Sequence, residues 1–171
     1  MAVRELRSSQ MSSPRPLTDE EQQKRLDRVV AIARRFGFVG RIEYRHVFTQ
    51  SGGAQYGRAN VEEMDLLVVY AEAFERDADP NDFSLEAMIA HERGHQLLAR
   101  HPRISAWASR RVSERGEEVI ASLLGKLLCD NPRDRDTLMG KASFEVMQYG
   151  MAADVASQRL EKFLTLLRAL L

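Results

Sequence analysis

Apolar residues first recur at helical spacing at Leu26, Val29, Val30, Ala33 and Phe36. A repeat near 3.6 places them on one face, so this stretch is an amphipathic helix. Thr18-Asp19-Glu20-Glu21 opens it as a capping box, in which the threonine oxygen caps the first turn and Glu21 reaches back. Gly37 closes it. Lys24, Arg28 and Arg35 on the opposite side read as a solvated face. From residue 41 to 48 the period changes to two. Ile42, Tyr44, His46 and Phe48 share one side, which predicts a half-buried strand with His46 packed in it. Ser51-Gly52-Gly53 is a turn, and Gln55 to Ala59 is a short second strand. Asp65-Leu66-Leu67-Val68-Val69-Tyr70 is the strongest strand signal in the chain.

Helical spacing then takes over. A loop from Asp77 to Asp82 leads into an amphipathic run from Ser84 to Arg100 that contains no proline, capped by Asp82 or Ser84. Pro102 breaks that run, and Ile104 to Arg110 is a connecting segment around Trp107. Val112 to Cys129 is a second long helix, stopped by Asn131-Pro132. Asp134 to Tyr149 is a third, and Gly150 separates it from a last helix at Asp154 to Leu171. The stripe of Leu160, Phe163, Leu164, Leu167 and Leu171 is core packing, since it is too short for a coiled coil. The predicted fold is α+β: a small antiparallel sheet with helices on one face, including the 84–100 helix, and a helical C-terminal half. Residues 1–17, polar and basic with Ser and Pro, read as a disordered leader, and 18–171 as a single domain.

Composition narrows the partners. The chain has 171 residues, suited to one domain, and 44% hydrophobic content supports a core. Formal net charge is zero, so no general pull towards nucleic acid is expected. No apolar run approaches the ~18 residues of a membrane span, and the N-terminal stretch has no apolar centre like that of a secretory signal. The single cysteine, Cys129, reads as a buried thiol and excludes an internal disulfide. A cytoplasmic location is the expectation.

The candidate chemistry lies in His91-Glu92-Arg93-Gly94-His95, an H-E-x-x-H motif inside the 84–100 helix. Residues four apart share a helix face, about 40° off register, so both imidazoles can close on one zinc ion. Glu92 sits one step round, where it reaches a water held by the ion and acts as general base. Met88, Ile89, Leu97 and Leu98 anchor the helix, and Gly94 allows another backbone to come close.

A catalytic zinc takes three protein ligands. His101 lies six residues past His95, off the metal-facing stripe, and the H-E-x-x-H-x-x-G-x-x-H pattern is not met. A glutamate from the 112–129 helix is the remaining option. Val119, Ile120, Leu123, Leu124, Leu127 and Leu128 form that helix's apolar stripe. Glu118, Ala121, Ser122 and Gly125 form a second stripe of small residues that permits close approach near Gly94. Glu118 is central to it and is the favoured ligand, with Glu117 and Glu114 as alternatives.

Glu118-Val119-Ile120-Ala121-Ser122-Leu123-Leu124-Gly125 resembles the glutamate helix of thermolysin-like gluzincins, which pair H-E-x-x-H with E-x-x-x-D. The resemblance places Glu118 as zinc ligand and Ser122 where the family has an aspartate that orients the first histidine. Gly53 to Ala59, Leu66 to Val69 and the motif helix together are similar, in that order, to minimal gluzincins and the ImmA/IrrE type. That implies a zincin-like fold and a zinc metallopeptidase acting on a peptide or protein substrate. It also implies that the 66–70 strand, through Val68 and Tyr70, is the edge that binds an extended peptide. Tyr56, Tyr70, His101 and Arg115 are candidates for stabilising the oxyanion.

Overall fold

The computed structural model describes residues 14–49, 52–58, 64–109, 112–148 and 150–171, apart from the side chains of Glu114 and Arg115. Most of the expected leader and the tip of the 55–59 strand lie outside the described residues. The order is α1 (Asp19–Arg35), β1 (Arg41–Arg45), β2 (Ala54–Gly57), β3 (Leu66–Tyr70), α2 (Ala71–Ala78), α3 (Leu85–Arg100), α4 (Pro102–Ala108), α5 (Glu114–Leu128), α6 (Pro132–Met147) and α7 (Ala153–Leu170). The α+β class and the helical C-terminal half are as expected. No helix among the described residues is long and apolar enough to cross a membrane.

Local signals act where the sequence places them. Thr18 Oγ1 accepts from Glu21 N, and the Glu21 carboxylate accepts from Thr18 N. Ser84, not Asp82, caps α3, accepting from Ala87 N at 3.0 Å. The same hydroxyl donates to the buried Asp134 of α6 at 2.7 Å. Two short helices go beyond the expected set. Pro102 ends α3 and also opens α4, because proline at the first helical position loses nothing by lacking an N–H. Residues Ala71–Ala78 form α2 directly after β3, with Ala71 and Ala73 buried.

The sheet departs from the antiparallel expectation. Its order is β1-β3-β2, with β1 parallel to β3 and β2 antiparallel to it. The physical reason is visible in β3, whose Leu67, Val68, Val69 and Tyr70 are all buried. A strand apolar on both faces belongs in the middle of a sheet, whereas β1, in which Ile42 and Tyr44 alternate with charged Arg41, Glu43 and Arg45, suits an edge. The 66–70 strand is therefore central, and the expectation that it is an edge is corrected: its backbone is paired on both sides.

Helix α3 belongs to two cores. Ile89 and Ala90 pack with Val29, Phe38, Leu67 and Val69, joining α3 to α1 and the sheet. Leu97 and Leu98 pack with Ile104, Leu123, Leu124, Leu160 and Leu167, joining it to α4, α5 and α7. Polar ties hold the sheet side. Gln96, 2% exposed, donates to Asp65 and bonds the backbone of Val39, while Arg100 pairs with Asp65. Cys129 is buried, and burial pushes its thiol up to about 12, in keeping with an inert core residue.

The crossing of α3 and α5 is a backbone contact. A Cβ on Gly94 would overlap the carbonyl oxygen of Ala121 and lie 2.8 Å from its Cα. A Cβ on Gly125 would lie 2.9 Å from the carbonyl carbon of Ala90. Gly140 in α6 has nothing within 4 Å of the same position. Gly94→Ala should therefore destabilise the protein by about 2 kcal/mol or more through forced separation of the helices. Gly140→Ala should be neutral or stabilise by up to ~1 kcal/mol. Urea unfolding of the two variants beside the parent measures both; equal stability would mean that the helices do not touch at Gly94.

Candidate metal centre

The uninterrupted α3 turns His91 and His95 to the same side. Their rings meet edge to face, with centroids 4.8 Å apart, and their Nε2 atoms are 3.3 Å apart. The α3–α5 contact brings Glu118 within reach of both. Its Oε2 lies 3.2 Å from His91 Nε2, and its Oε1 lies 3.2 Å from His95 Nε2. These three residues lie close enough together to hold a metal ion. They form a donor triangle in which the two Nε2 atoms face the two carboxylate oxygens of Glu118, one each.

The surroundings aim the donors inward. Ser122 Oγ lies 3.1 Å from His91 Nδ1, with Ser122 fully buried. An Nδ1–H donated to that hydroxyl leaves the Nε2 lone pair free for the centre. Glu92 is held apart from the donor triangle. Its Oε2 accepts from the backbone N–H of Tyr56 in β2 at 2.7 Å, which fixes its carboxylate at the sheet edge.

Lys141 of α6 is a group that the sequence reading missed. Its ammonium donates to Glu118 Oε2 at 2.7 Å and lies 3.4 Å from His91 Nε2. The signal for it was faint. Leu138 and Ala142 are the buried residues of that helix, and Lys141 lies three residues after the first and next to the second. It therefore borders the inward stripe.

Charge and burial set the protonation tendencies. The two histidines, burial opposing them, and then Lys141 hold the Glu118 carboxyl well below the usual range. Burial lowers the pKa of His91, only partly offset by Glu118. At His95 burial also works against the proton, but the bond to Glu118 and the charges of Glu92 and Glu118 outweigh it, and its pKa rises. The more deeply buried imidazole is thus the one disposed to stay neutral.

These groups lie on the floor of a cleft of about 680 Å³. One wall is β2, through Ala54, Gln55 and Tyr56; the other is Ser105, Ala108, Ser109 and Val112. Of the expected site residues, His91, Glu92, His95 and Glu118 meet here. Glu117 lines the cleft but is outside the donor cluster, and the Glu114 side chain lies outside the described residues.

Val68 and Tyr70 do not line the cleft, because β3 is buried between its two neighbours. The described oxyanion candidates also point elsewhere. The phenol of Tyr56 packs edge-on against Phe38, and burial with the nearby Asp65 charge raises its pKa to about 12. Tyr70 donates to Gln55 at 3.4 Å. His101 caps α4, and the Arg115 side chain lies outside the described residues. His46 is packed in the sheet region, its ring between Tyr44 Oη and the Arg15 carbonyl.

Among known proteins, no family model, no curated protein and no solved structure matches this chain.

Proposed function

We propose that this chain is a gluzincin-like zinc metallopeptidase of zincin-like fold that hydrolyses peptide bonds in the cleft between β2 and α4. The observation that carries this reading is the convergence of His91 and His95, the two histidines of the H-E-x-x-H motif, with Glu118 from a second helix, close enough together to hold one metal ion. Those three residues hold the ion. When bound, zinc supplies a Lewis acid and lowers the pKa of a coordinated water towards neutrality.

The chain's own residues do the rest. Glu92 follows His91 and is not part of the donor triangle, so its carboxylate is free to take a proton from water. The Tyr56 N–H holds that carboxylate at the floor of the cleft. Glu92 then delivers the proton to the leaving amine. Of the two edge strands it is β2 that lines the cleft, so an extended peptide or protein substrate adds along β2 rather than β3. A cytoplasmic setting agrees with the lone buried cysteine.

One observation favours a second reading, a zinc-bound regulatory or interaction module with little turnover. His91 leans on the neutral hydroxyl of Ser122, which supports a ligating imidazole less strongly than a carboxylate does.

Purified protein should hold close to one zinc per chain by atomic absorption, and His91→Ala or His95→Ala should abolish it. Glu118→Gln should weaken zinc binding more than Glu117→Gln does; folded parent protein without zinc after reconstitution would end the metal reading. Glu92→Gln should keep its zinc yet lose peptidase activity by ~10²–10⁴-fold in a peptide-library digest, since the amide takes no proton. Parental activity equal to that of Glu92→Gln would leave the module. Ser122→Asp should tighten zinc or raise turnover by ~10-fold, the scale of charged support to a ligating histidine. Because ligands bind zinc only when deprotonated, affinity should fall as pH is lowered through the histidine range.

A further inference from the structure

We propose that Lys141 is a resident counter-cation of the donor set, so that loading the site with zinc is an exchange of one cation for another. This rests on the reading of His91, His95 and Glu118 as zinc ligands. The lysine approaches from α6, an element that contributes no ligand, and its side chain is only 26% exposed. Its ammonium is shared between two of the three ligands, at 2.7 Å from Glu118 Oε2 and 3.4 Å from His91 Nε2.

The argument is one of valence. A neutral imidazole has a single lone pair on its unprotonated nitrogen. At His91 the ammonium, which can only donate, faces Nε2, so the matching tautomer carries its proton on Nδ1, donated to the Ser122 hydroxyl, and its lone pair on Nε2. That lone pair cannot serve an ammonium and a metal ion together. Glu118 Oε2 has lone pairs to spare, but an ammonium and a divalent ion at neighbouring ligand atoms repel strongly in a half-buried cleft. Zinc therefore displaces the ammonium from His91, and the lysine, its proton retained, turns outward along its flexible stem.

The consequence has an unusual sign. Residues that contact metal ligands normally help, and removing one weakens zinc by ~10–100-fold. Removing Lys141 should instead tighten it. The lysine also makes the donors compatible with one another before zinc arrives. Without it, the acceptors of Glu118 and His91 face each other with one fewer proton donor between them.

The test is a zinc titration of full-length protein against a chromophoric chelator at fixed pH, with thermal unfolding measured before and after zinc. Lys141→Met and Lys141→Gln should bind zinc ~10-fold more tightly than the parent. They should melt lower without zinc and gain more from its addition. Lys141→Arg, which keeps a cation, should stay within about threefold of the parent. Neutral variants that bind zinc as weakly as the parent, or more weakly, overturn the proposal. If His91→Ala still abolishes zinc binding in that case, the metal reading stands and only the role of Lys141 falls. Two neutral variants of different shape guard against one that fails to fold.

Discussion

The contact on which the site depends is made by backbone, not by the side chains that cluster in the cleft. Gly94 of α3 sits against Ala121, and Gly125 of α5 sits against Ala90 and His91. A glutamate side chain is short. It reaches across to two histidines on a neighbouring helix only if the helix axes come unusually close, and two glycines facing alanines provide that approach. The donor triangle is in this sense a by-product of helix packing. Ser122, one residue from Ala121 in the same crossing, is carried to His91 Nδ1 by the same contact.

Helix α3 can bear this because it is secured on every side. Its start is tied to α6 through Ser84 and Asp134. Its later turns are tied to the sheet and the α1–β1 connection through Gln96, Arg100 and Asp65. Buried polar groups so fully engaged specify one arrangement rather than merely adding stability. Glu92 extends the logic into the cleft, since its carboxylate meets the edge strand through Tyr56 N–H. Helix α3 thus places residues on three faces: two imidazoles towards α5, a carboxylate towards β2, and structural polar groups towards the sheet.

Much of this was legible in the sequence, for reasons that differ from element to element. Helical period and caps located α1, α3, α5, α6 and α7, because both are local properties of the backbone. Glu118 was favoured over Glu117 and Glu114 because it lies centrally in a stripe of small residues, which permits a close neighbour. The mixed sheet was not, although its cue was present: β3 is apolar on both faces while β1 alternates. Expecting an edge at β3 put Val68 and Tyr70 in the cleft, when pairing on both sides removes them from it. Lys141 was illegible for a different reason. A lysine beside a buried stripe looks like any lysine that lays its stem on the core and its charge in water. Only the tertiary arrangement reveals that its charge faces inward.

That inward charge also explains how the floor of the cleft tolerates its own composition. Two carboxylates, Glu92 and Glu118, stand near two imidazoles, one of which burial disposes to be neutral. Without a cation, lone pairs of Glu118 and the two imidazoles would face one another at 3.2 to 3.3 Å. A proton on His95 relieves one edge of the triangle, and the rise in that residue's pKa has this origin. It does not relieve the edge between His91 and Glu118 Oε2, where burial works against a second proton. Lys141 lies against that edge, in contact with both of its atoms. The α3–α5 contact thus draws acceptors together, and α6 supplies the charge that lets them stay.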